Sequence, residues 1–145
     1  MYNIENLKKD FENNKNIEFL YFWGHRPKQD GKIGKSCFSQ WWECEFILDN
    51  IKYSTAEQYM MAEKARLFKD FEILEKILNS KSPKEIKDFG RKIKNFNEEL
   101  WSKEKINIVK RGNLAKFSQN EDLKYFLLNT DKKVLVEASP YDKIW

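Results

Sequence analysis

The chain holds one histidine, two cysteines, three prolines and five glycines in 145 residues, and each scarcity removes a class of function. With His25 alone, a multi-histidine metal centre is excluded, and a histidine-centred triad would rest on that one residue. Cys37 and Cys44 are too few for a disulfide framework and too far apart for a Cys-x-x-Cys site. They read as small buried hydrophobes in a cytoplasmic chain with reduced thiols. No run of about 18 apolar residues occurs, which excludes a transmembrane helix, and the opening MYNIENLKKDFENNKN lacks the apolar stretch of a signal peptide. No GxxxxGK[ST], GxGxxG or HExxH pattern is present, so phosphate-loop, dinucleotide and zinc-protease readings have no support. Nothing in the sequence calls for a metal or a cofactor.

What is present is charge and aromatic surface. Lysine and arginine total 27 against 23 acidic residues, a formal charge of +4. Only Arg26, Arg66, Arg91 and Arg111 are arginine, which matters because a planar guanidinium binds phosphate or carboxylate in a bidentate way and lysine does not. The lysines are interleaved with glutamate as on solvated helix faces, so an anionic ligand is permitted and a nucleic-acid stripe is not evident. Aromatic residues make up 15% of the chain; rings of this kind build cores and also stack planar ligands.

The pattern along the chain predicts an α+β fold, mainly helical, with a small sheet. Residues 1–16 form a helical extension, with Ile4, Leu7 and Phe11 on one face, before a single domain over 17–145. Residues 17–22 read as a strand and 24–36 as a loop. Phe46–Leu48 and Ile51–Tyr53 flank Asp49-Asn50 as a two-residue hairpin. Ser54 and Glu57, three apart, predict a capping box opening a helix to about Phe68. Further helices are expected over 71–79, from Ser82-Pro83 to about Lys94, over 98–117 and over 121–128, with Trp101, Ile108 and Leu114 directed at the core. A short strand over 134–136 follows.

The helix after the hairpin carries the most chemistry. Glu57 and Lys64 are seven residues apart, about 700° of rotation, so they share one helix face. A carboxylate beside a desolvated amine supplies a base and a nucleophile; equally, Glu57 reads as a helix cap and Lys64 as a solvated lysine. Arg91, after Gly90, is placed either to reach a phosphate or to form a surface ion pair. Asp142, in a Ser-Pro-x-Asp tail, reads on spacing alone as a turn residue.

The ordered segments Phe22-Trp23-Gly24, Phe38-Ser39-Gln40-Trp41, Tyr53-x-Thr55-Ala56-Glu57-Gln58-Tyr59-Met60-Met61-Ala62-Glu63-Lys64-Ala65, Gly90-Arg91, Trp101, Gly112-Asn113-x-Ala115-Lys116-Phe117 and Leu135-Val136-Glu137-Ala138-Ser139-Pro140-x-Asp142-x-Ile144-Trp145 resemble the NADAR superfamily, and within it the YbiA-type branch. The resemblance covers roughly residues 18–145. Members of that branch continue beyond the final tryptophan with Gly-x-Gly, whereas this sequence stops at Trp145.

The resemblance implies cleavage of an N-glycosidic bond in a small phosphorylated ribosyl compound, such as the phosphoribosylamino-pyrimidine intermediates of riboflavin synthesis. It implies Glu57, Lys64 and Asp142 as catalytic groups. Trp23, Phe38, Gln40, Arg91, Trp101 and Trp145 would then bind substrate, with no metal and no membrane. Two alternatives stay open: hydrolysis of ADP-ribosylated guanine, with nucleic acid as the modified substrate, and a non-catalytic module for NAD-derived or ADP-ribosyl ligands.

Overall fold

The computed structural model describes residues 3–13 and 15–139. Helix α1 (Ile4–Glu12) precedes strand β1 (Phe19–Phe22), and a single 3-10 turn (Lys35–Phe38) leads to β2 (Phe46–Leu48) and β3 (Ile51–Tyr53). Five helices follow: α2 (Ala56–Leu67), α3 (Phe71–Asn79), α4 (Pro83–Arg91), α5 (Glu98–Gln119) and α6 (Glu121–Leu128). Strand β4 (Val134–Glu137) comes after them. The fold is mixed α+β with a small amount of sheet, as the sequence pattern implies.

The strands form two separate ribbons. β2 and β3 pair antiparallel, Phe46 opposite Tyr53, across a turn in which Asp49 and Asn50 both take positive φ, 51° and 61°. That is the conformation a two-residue hairpin demands, and these two residues tolerate it because their short polar side chains bond locally. β1 and β4 pair in parallel, Phe19 opposite Val134. A parallel pair cannot close through a tight turn; here the whole helical body lies between its strands.

Helix α2 is the centre of that body, packed against α3, α4 and α5. Its approach to α5 depends on Gly112: a Cβ there would lie 2.5 Å from a ring carbon of Tyr59. Gly90 likewise leaves room for the Met61 side chain between α4 and α2. One core cluster joins the hairpin to α2–α5 through Phe46, Tyr53, Tyr59, Phe68, Ile77 and Ile86. A second gathers Phe22, Cys37, Phe38, Trp42 and Leu123 where β1, the 3-10 turn and α6 meet.

Three local expectations shift. The cap of α2 is Thr55, which accepts from the Gln58 amide at 3.0 Å. Ser54 instead donates its amide and hydroxyl to Gln58 Oε1, at 2.8 and 2.9 Å. The cap is thus one residue later than Ser54, and no capping box closes on it: the Gln58 side chain reaches back to Ser54 rather than to the Thr55 amide. Helix α4 opens at Ser82-Pro83 as predicted and ends at Arg91, not near Lys94. Leu114 is 72% exposed: the inward face of α5 is made by Gly112, Ala115 and Lys116, one position off the apolar stripe. Trp101 and Ile108 are partly buried against the core.

Candidate active site

Helix α2 presents its Glu57–Lys64 face to the ends of α4 and α5. Glu57 lies in the first turn, where an anion is favoured by the helix dipole, and it is 9% exposed. Its amide is one of the donors an N-terminus leaves without an intrahelical acceptor; the backbone carbonyl of Gln40 takes it at 2.9 Å. Two turns on, Lys64 is half-buried and its Nζ donates to the carbonyl of Gly90 at 3.0 Å. The amine stands 4.5 Å from the Phe96 ring centre and 5.6 Å from that of Trp101. Burial holds its pKa below the ordinary 10.5, against the opposing pull of the Glu98 and Glu57 carboxylates.

The sequence-selected residues fall into three groups. Glu57, Lys64 and Trp101 come together along the α2–α5 seam. Gln40 and Phe38 belong to the segment that meets the start of α2. Gln40 exchanges two hydrogen bonds with the side chain of Asn113 on α5, at 3.0 and 3.2 Å. Phe38 is buried against Phe22, Phe117 and Phe126. Both residues line a cleft of about 750 Å³ whose walls include Phe117, Leu127 and Leu135; Glu57 and Lys64 are not among the described residues that line it. Gln40, whose carbonyl accepts the Glu57 amide and whose side chain bonds Asn113, links the seam to the cleft.

Trp23 and Arg91 lie at the surface. Trp23 is 60% exposed. Arg91 is exposed at the end of α4 and lies 3.6 Å from Asp88 in an ion pair; its neighbour Gly90 supplies the carbonyl that holds Lys64. Gly90 thus serves helix packing and the amine, where the sequence pointed to ligand approach. Asp142 and Trp145 lie outside the described residues.

Matched against known families, residues 21–145 fit the model described as the NADAR domain. The chain belongs to the NADAR family. Among its NADAR relatives is a protein of Acanthamoeba polyphaga mimivirus named as an N-glycosidase, 44% identical over 133 residues, covering 88% of this chain and 76% of that one. The chloroplastic riboflavin biosynthesis protein PYRR of Arabidopsis thaliana is 38% identical over 81 residues, 53% of this chain and 14% of that protein. The structure is similar to that of the E. coli protein YbiA, solved by NMR, with a TM-score of 0.71 and 25% identity over 90% of this chain and 73% of that one.

Two polar residues of this NADAR domain, Asn113 and Lys116, belong to the Gly112–Phe117 motif but have no site role in the sequence reading. Both carry a signal in hindsight: they are three apart on α5, on the face that also holds the small residues Gly112 and Ala115, where a polar side chain must find a buried partner. No helix among the described residues is long and apolar enough to cross a membrane.

Proposed function

We propose that this chain hydrolyses the N-glycosidic bond of a phosphorylated ribosyl compound in which ribose is joined through nitrogen to a planar base. The observation that carries the proposal is the Lys64 amine, held at the Gly90 carbonyl near the Phe96 and Trp101 rings, with its pKa lowered by burial. A membership in which a close relative is named as an N-glycosidase supports the reaction class, and the riboflavin biosynthesis protein supports an amino-pyrimidine as the base.

The chemistry requires the amine in its neutral form, which burial favours, beside carboxylates. In the ring-opened substrate, C1′ is bonded to the amino nitrogen of the base as an imine. Lys64 Nζ adds to C1′, a proton passes to the base nitrogen, and the base leaves as a free amine, so that a Lys64–C1′ imine remains. Water then adds to that imine, and Lys64 departs as the ribose phosphate is released. Glu57 and Asp142 are the proton carriers in this scheme, Trp101 stacks on the substrate, and Arg91, one residue from Gly90, holds the phosphate. The net reaction consumes one water and needs no other reactant. Phe38, Gln40, Trp23 and Trp145 complete the proposed binding surface.

Release of free base from a phosphoribosylamino-pyrimidine and from an ADP-ribosylated guanine oligonucleotide tests the proposal. The pyrimidine substrate should be turned over, and Glu57→Gln should slow it by about 10²–10⁴-fold. Turnover of the oligonucleotide alone, with binding that weakens steeply as salt rises, would assign the chain to modified nucleic acid instead. Binding of ADP-ribose with no base released from either would make it a ligand-binding module.

A further inference from the structure

The side chain of Lys116 is wholly buried and takes no part in the chemistry above. Its Nζ donates to the carbonyl of Cys37 at 2.7 Å and to that of Ser39 at 2.8 Å. These carbonyls flank Phe38 at the end of the 3-10 turn, and that of Ser39 also accepts from the Trp42 amide at 3.2 Å. The titratable groups that reach it among the described residues are the thiols of Cys44 and Cys37, which burial keeps protonated, and the Phe117 ring centre lies 5.1 Å away. A buried ammonium served by carbonyls and no carboxylate is costly compared with a methionine of similar length. Such a group persists where it holds something in place.

What it holds is the strand of backbone that governs Glu57. On the same face of α5, Asn113 grips the Gln40 side chain while Lys116 grips the carbonyls at 37 and 39. The next carbonyl, that of Gln40, accepts the Glu57 amide. Segment 37–40 is thus pinned to α5 by Lys116 and Asn113 and in turn fixes the first turn of α2. We infer that Lys116 is a positioning residue, whose clamp on the Cys37 and Ser39 carbonyls sets the placement of Glu57 for catalysis. This inference rests on the N-glycosidase reading for its catalytic consequence, while the clamp itself is tested without it.

The test compares the wild-type chain with Lys116→Met, which removes the donors at similar volume, and Lys116→Arg, which keeps them in a bulkier group. Amide hydrogen exchange at Glu57 is the first readout. The clamp predicts that Glu57 protection drops by about tenfold or more in Lys116→Met, with Lys116→Arg intermediate, while Ile77 in α3 keeps its protection. The second readout is kinetic: kcat for base release falls in the same order, with KM changed less, because Trp101 and Arg91, outside segment 37–40, stay in place while the proton carrier moves.

Unchanged Glu57 protection in folded Lys116→Met overturns the clamp, whatever the activity. Should that variant not fold, Lys116→Arg decides by the same comparison with wild type. Reduced protection together with unaltered kcat overturns the catalytic role. Reduced protection in a chain that releases no base even as wild type upholds the clamp and overturns the N-glycosidase reading alone.

Discussion

At the scale of single residues, the proposed reaction turns on the protonation of Lys64. Its burial opposes charge while Glu98 and Glu57 favour it, so the amine is neutral over a wider range than a solvated lysine but still protonated at low pH. A nucleophilic Lys64 therefore predicts that kcat/KM climbs with pH until the lowered pKa is passed. Glu98→Gln, by removing the carboxylate that does most to favour the charged form, should move that climb to lower pH. A shift to higher pH, seen in a pH–rate profile, would contradict the electrostatic account. Trp101 offers a second check. It is partly buried and faces the amine, so Trp101→Phe should raise KM several-fold while costing about 1 kcal/mol of stability or less. A large loss of melting temperature with unchanged KM would make it a core residue only.

At the scale of elements, the hairpin and the start of α4 were legible because their signals are local. Asp49-Asn50 announces a turn by its tolerance of positive φ, and Ser82-Pro83 announces a helix by capping and by the missing N–H. The start of α2 was read one residue early because Ser54 and Thr55 are both competent caps and Glu57 and Gln58 both competent partners. Only the contacts of Gln58 with Ser54 on one side and with the carbonyls of Ile77 and Ser80 on the other, at 3.0 and 3.1 Å, choose between them. The bonds to Ile77 and Ser80, 19 and 22 positions away, are tertiary, and no local window of sequence contains them. The inward face of α5 was missed for a related reason: it is lined by Gly112, Ala115 and a buried lysine, a combination that hydrophobic periodicity does not register. The seam between α2 and α5 yields its own prediction. Gly112→Ala forces a Cβ against the Tyr59 ring, so urea unfolding should show a loss of about 1–3 kcal/mol. Neutral or stabilising behaviour would mean that the two helices do not approach this closely.

At the scale of the whole molecule, buried titratable groups shape stability. Burial lowers Lys116 from 10.5 to about 8, so between those values the unfolded chain binds more protons than the folded one and stability rises with pH. Lys64, also lowered by burial, acts in the same direction. Burial raises Cys37 from 9.0 to about 11 and Tyr59 from 10.0 to about 12, so above pH 9 the folded chain keeps protons that the unfolded one has lost, and these groups lower stability as pH rises. Urea unfolding under reducing conditions should therefore show a gain of about 1 kcal/mol from pH 8 to pH 9, then a plateau and a decline. Lys116→Met should lose most of the early gain. A steady fall from pH 8 upward in the wild type would contradict the buried charge.

The same scale separates what a sequence can state from what a fold adds. The class and the Glu57–Lys64 face followed from periodicity, and the family from motifs in order. That Gln40 and Asn113 would join, 73 positions apart, required the chain to be folded.

The most direct test of the central claim is borohydride reduction of the intact chain during turnover of a phosphoribosylamino-pyrimidine, followed by mass analysis of its peptides. A ribose-phosphate adduct should appear on the peptide containing Lys64, and Lys64→Ala should lose both the adduct and about a thousandfold or more of base release. Base release by Lys64→Ala at a rate near that of the wild type, with no adduct on Lys64 in either protein, would contradict the account.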